Sequence, residues 1–154
     1  MAVAKPSPEP LQRNAYFIRC IYYLCVMCLQ SSAVPALSCT KTGFLISPEI
    51  VKLSARTVFH TARSFVEMSR EYLATRPDFT KVPSFVGYCA FVAGSVLKVV
   101  MDFQVAVESY DFSGDIQLCL ILLKELTAYY RVLRPFVRTH KERGGKKRLT
   151  LITS

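Results

Sequence analysis

Histidine is nearly absent from this chain: His60 and His140 are the only two among 154 residues, and they stand eighty positions apart. An H-E-x-x-H zinc pair is therefore excluded, and no G-x-S-x-G nucleophile turn occurs either. Glycine is scarce, at six residues. Gly144-Gly145-Lys146 has neither the preceding strand nor the spacing of a phosphate-cradling loop. Acidic residues number 11. Asp102, Glu108, Asp111 and Asp115 gather in one region but miss calcium-loop spacing, so they read as groups that keep a connection soluble. With no acid, base and nucleophile constellation visible, the sequence reads as non-enzymatic.

Six cysteines are present, but Cys20, Cys25, Cys28, Cys39, Cys89 and Cys119 do not form a disulfide framework, because five of them sit inside apolar runs. Reduced, buried thiols packing as small hydrophobes are expected. Cys25-x-x-Cys28 is a lone pair within an apolar stretch. A structural zinc site needs four converging ligands, so no metal or other cofactor is expected in this chain.

Basic residues outnumber acidic ones, 20 to 11, for a net charge of +9. Eight of the basic residues lie between Arg131 and Arg148 with only Glu142 against them, so that stretch carries +7 and the remainder only +2. The basicity therefore belongs to a tail and not to a folded face with a groove, and a whole-protein nucleic-acid reading loses most of its support. Lys141, Arg143, Lys146, Lys147 and Arg148 fit a nuclear-import signal, a set of phosphate contacts or a plain solvated tail. No aromatics interleave with them, which removes single-strand base stacking as a use.

Apolar residues make up 51% of the chain and charged ones 20%, too apolar for a disordered protein. Residues 1–10 hold three prolines and read as an extended leader. Leu11 to Leu29 lacks proline and glycine, and Tyr16, Cys20, Tyr23 or Leu24, and Met27 recur at helical spacing. Gln30 to Gly43 reads as a connection. The apolar run Phe17 to Leu29, followed by Ser32, Ala33 and Ala36, imitates a signal peptide, but the long proline-bearing segment before it is unlike a short basic n-region.

Ser47-Pro48-Glu49 is the clearest helix start, joining a capping hydroxyl, a first-turn proline and an acid facing the positive helix end. Val51, Ala55, Val58, Ala62, Phe65 or Val66, Ser69 and Tyr72 or Leu73 form one stripe of the ensuing helix. Lys52, Arg56, His60, Arg63, Glu67 and Arg70 form the opposite, solvated one. Arg76-Pro77-Asp78 ends it. Phe85 to Val100 is apolar or small almost throughout, which predicts a central helix enclosed by protein on all sides. Within it Gly87, Ala90 and Gly94 make a shallow strip for close helix packing. As a membrane candidate the run from Phe85 to Met101 is only about 17 residues and contains Lys98, at the lower limit for crossing a bilayer. After a polar connection over Ser109 to Asp115, the residues Ile116, Cys119, Leu120, Leu123, Leu126 and Tyr130 define a last helix that stops before Pro135. The expected architecture is all-α, about four main helices in a bundle or irregular array over residues 11–135, with a basic tail over 136–154.

Three stretches, "SPEIVKLSARTVFHTARSF", "VPSFVGYCAFVAGSVLKVVMDF" and "LCLILLKELTAYYRVLRP", together resemble the closing helices of the fungal-specific transcription factor domain, the middle homology region of fungal zinc-cluster regulators. The "FVGYCAFVAGSV" and "LLKEL" stretches carry most of that likeness. The resemblance implies a regulatory and interaction portion of a nuclear transcription factor, forming part of a larger helical domain. Its implied partners are other segments of the regulator or a homodimer partner, with DNA reached only indirectly and a small-molecule effector as a further ligand. In such regulators six clustered cysteines bind zinc near the N-terminus. Here the spacings of 5, 3, 11, 50 and 30 cannot reproduce that cluster, so zinc is expected only in a segment this chain lacks. If flanking helices are missing, apolar faces on Phe17 to Leu29 and on the last helix are uncovered, and self-association follows. A small membrane-associated helical protein is the alternative reading.

Overall fold

A computed structural model of the chain describes residues 10–37, 47–102 and 112–139. Four helices carry the fold: α1 (Pro10–Ser32), α2 (Pro48–Ala74), α3 (Ser84–Asp102) and α4 (Phe112–Thr127). Two 3-10 turns, Phe79–Lys81 and Arg131–Leu133, and a helical turn over residues 134–139 complete it. No strand occurs among the described residues, and the architecture is an all-α array. The leader over 1–9 and the basic residues Lys141, Arg143, Lys146, Lys147 and Arg148 lie outside the described residues, as do Cys39, Glu108, Asp111 and His140.

α3 is the shared wall. It packs most closely on α4 and also contacts α1 and α2, while α1 lies along α2. Phe65, Met27, Leu97, Leu122, Leu123 and Leu126 are fully buried where these helices meet. The stripe expected on α2 faces this core: Val58, Ala62, Phe65, Val66, Ser69 and Tyr72 are all buried. Pro48 stands in the first turn of α2, where its missing donor costs nothing, and Glu49 faces the positive helix end. The Ser47 hydroxyl donates to the Glu49 carboxylate at 2.5 Å instead of capping the backbone. At the other end the Thr75 and Arg76 amides donate to the Tyr72 and Leu73 carbonyls. Arg76 takes a φ of 53°, a left-handed stop that diverts the chain into buried Pro77.

A polar pair is built into this core. The Tyr16 hydroxyl and Ser69 Oγ are 3.1 Å apart and buried, and the Tyr16 ring stacks on Tyr72 with centroids 3.9 Å apart. Burial, with help from nearby thiols, pushes the Tyr16 hydroxyl well above the usual tyrosine range, so it stays protonated and available as a donor.

Three expectations need correction. α3 is not enclosed on all sides: Val86, Gly87, Cys89, Ala90, Ala93, Gly94, Val96 and Leu97 are buried, but Tyr88 and Met101 are exposed. Three neighbouring helices cover only part of its circumference. α4 begins at Phe112, four residues before Ile116, so Asp115 lies in its first turn. There Asp115 is buried and accepts from Arg70 at 2.7 Å. It therefore does not serve to keep a connection soluble, and Arg70, itself still exposed on the charged face of α2, reaches across to cover it. Finally, α4 stops at Thr127, not just before Pro135. The Tyr130 backbone turns extended, and the chain refolds so that Leu133 enters the core and Phe136 packs on Phe91 with ring centroids 4.6 Å apart. The helical body thus runs past the expected boundary at Pro135.

Replacing Ser69 by Ala leaves the buried Tyr16 hydroxyl without this partner and should cost about 1–2 kcal/mol. Urea unfolding followed by circular dichroism checks this, with the midpoint expected to fall at an unchanged slope.

Candidate functional site

α1 carries no acidic residue, and apolar residues occur all around it. A helix of that kind belongs in a core, yet only one side of α1 is covered. On the inner side Tyr16, Cys20 and Met27 are buried, and Phe17, Tyr23 and Leu24 pack partly against the same core. On the outer side Ile18 (68% exposed), Ile21 (49%), Tyr22 (62%) and Leu29 (71%) face solvent, with Cys25 and Cys28 exposed among them. The spacing 18, 21, 25, 28 follows the three-four alternation of a helix-pairing seam, with Tyr22 and Leu29 widening it to one side. Individually exposed apolar side chains are ordinary, but a contiguous stripe is not. Ile121, Tyr129 and Val132 are also exposed on the last elements, and Ile50 and Leu53 at the start of α2.

The strip predicted on α3 is buried at all three positions, Gly87, Ala90 and Gly94. Gly87 explains why a small residue is needed. A Cβ there would stand 2.5 Å from Leu133 Cδ1 and 3.4 Å from Leu126 Cδ1. The close neighbours are thus leucine side chains from α4 and from the turn after it.

A second surface feature lies beyond α4. Arg131, Arg134 and Arg138 line a shallow concavity of about 600 Å³ with Thr127, Pro135 and Val137. No carboxylate among the described residues lies within ion-pairing distance of any of the three. In the sequence these arginines stand out only as part of a basic stretch. Their spacing of three and four was the signal that they share a side.

The cysteines separate into two groups. Cys20, Cys89 and Cys119 are buried, and Cys89 Sγ donates to the Cys20 carbonyl at 3.6 Å. Burial pushes the Cys20 and Cys119 thiols up to about 12 and raises Cys89 further, which keeps all three protonated and unreactive. Cys25 and Cys28, expected to be buried, are instead exposed on the outer face of α1. Among the described residues no group of three or more His, Cys, Asp or Glu converges as metal ligands would. His60 is exposed on α2, as its place on the charged face predicts.

Two outcomes follow from this geometry. Gly87→Val should cost roughly 1–3 kcal/mol by overpacking, and Leu133→Ala in the same chain should offset part of that loss, which paired denaturation curves would show as non-additivity. In dilute, folded protein an alkylating reagent should modify Cys25 and Cys28 long before Cys20, Cys89 and Cys119, as read by peptide mapping. Compared with protein-family models, with curated proteins and with solved structures, the chain gives no significant match.

Proposed function

We propose that this chain is the regulatory and interaction portion of a fungal transcription factor. The observation that carries the reading is the outer stripe of α1. A helix with core-type composition is covered on one side only, which suits a surface made to receive another protein element. The "FVGYCAFVAGSV" and "LLKEL" stretches that resemble the family form the α3–α4 pair, the most closely packed in the array. In this reading DNA is reached through other segments, the nucleus is entered through Lys141, Arg143, Lys146, Lys147 and Arg148, and no reaction is catalysed. A small-molecule effector is a further ligand of the same domain.

One observation favours the alternative of a membrane-associated protein: α3 is the one helix among the described residues long and apolar enough to cross a bilayer. Against it, the buried face of α3 is committed to α4, α2 and α1, and membrane insertion would have to strip that face bare.

Expression in a fungal cell as a fluorescent fusion separates the two. Nuclear accumulation lost in a K146Q/K147Q/R148Q variant is expected, together with a several-fold change in reporter output when the chain is tethered to an unrelated DNA-binding domain. Retention on membranes after carbonate washing, with no reporter effect, would replace this reading with the alternative.

A further inference from the structure

We infer that the concavity beyond α4 is a binding site for a small polyanion, an organic phosphate with two or more phosphoryl groups, held by Arg131, Arg134 and Arg138. The inference uses nothing from the transcription-factor reading and stands on the local geometry and charge.

The hollow is a product of the chain's course. α4 ends at Thr127, the Tyr130 backbone turns extended, and helical structure resumes in the 3-10 turn Arg131–Leu133, which passes into the turn over 134–139. Leu133 of that segment is buried in the core, and Arg131, Arg134 and Arg138 are exposed and spaced three and four apart, so that they share a side of their own. Seating Leu133 therefore sets the direction of the arginines as well. A merely solvated arginine face would stand on a convex ridge. Here the three side chains line one depression of about 600 Å³ together with Thr127, Pro135 and Val137, a volume that suits a small molecule.

Charge says what enters. Three guanidiniums are gathered with no carboxylate among the described residues in ion-pairing distance. Like charges at this spacing repel, and a bound anion removes that cost. The Thr127 hydroxyl donates to the Lys124 carbonyl at 2.7 Å, so among the lining side chains the donors left for a ligand are the guanidinium N–H groups. Such groups grip phosphoryl oxygens with paired donors. At helical rise the arginines spread over about 10 Å of chain, more than one phosphoryl group needs, and the matching ligand therefore bears at least two. Pro135 and Val137 supply apolar surface for its organic part.

Isothermal titration calorimetry of the full chain with inorganic pyrophosphate tests the inference, in about 0.15 M salt so that loose surface attraction is screened. Saturation at one pyrophosphate per chain is expected, with a dissociation constant on the order of 100 µM. Arg131→Gln, Arg134→Gln and Arg138→Gln should each weaken binding about tenfold, the loss of one charge-assisted partner, with helical circular dichroism unchanged. R131K/R134K/R138K keeps the charge but not the planar fork and should also weaken it. K146Q/K147Q/R148Q in the tail and Arg56→Gln on α2 should bind as wild type does. No saturable binding up to about 5 mM pyrophosphate, or binding lost in the tail variant and kept in the arginine variants, would overturn the site. Citrate bound as tightly as pyrophosphate would overturn the phosphoryl assignment. Tighter binding of a short single-stranded oligonucleotide, lost with the same arginines, would replace the small anion by a nucleic-acid backbone. None of these results bears on the reporter experiment, so the two readings fail separately.

Discussion

The structure depends on how closely other elements can approach α3. Where Gly87 has no side chain, Leu133 and Leu126 fill the space, and that close approach lets a 16-residue α4 lie tightly along the apolar helix. The consequences reach further than one contact. To bring Leu133 into the notch the chain must leave α4 at Thr127, turn extended at Tyr130 and start again, which in turn seats Phe136 against Phe91 and Tyr88. On the opposite side of α3, Cys89 reaches the Cys20 carbonyl of α1, tying that helix to the same wall.

α1 shows how one helix can be both structural and available. Its inner stripe is held by the packing of Tyr16, Cys20 and Met27 and by the buried Tyr16–Ser69 pair, which together fix its rotation. With that rotation fixed, Ile18, Tyr22 and Leu29 must face outward. Ordering of the inner face thus presents the outer stripe ready-made, without further conformational cost when a partner arrives.

Much of the fold was legible in the sequence because its helices obey simple periodicity. The apolar stripe of α2 and its start at Pro48 follow from spacing and from the proline and acid of the first turn. The misreadings have a common physical cause. Asp115 and Ser113–Gly114 look like loop residues in isolation, yet Arg70, forty-five positions away, gives Asp115 a partner that holds it within the first turn of α4. Likewise Tyr130 continues the periodicity of α4, yet the helix stops before it and Leu133 packs into the notch at Gly87 instead. The Gly87, Ala90 and Gly94 strip was visible from spacing, but not which leucines would fill it. Cys25 and Cys28 looked like core thiols because the run around them is apolar in every direction, and periodicity cannot tell which of two apolar faces finds a neighbour.

What the array depends on is the close approach at Gly87, which lets Leu133 enter the core after α4 has ended at Thr127. Amide hydrogen exchange on a Gly87→Val variant measures this directly: protection should fall first over residues 128–139 while α1 and α2 keep theirs. Uniform loss of protection over all four helices, or no loss anywhere, would contradict it.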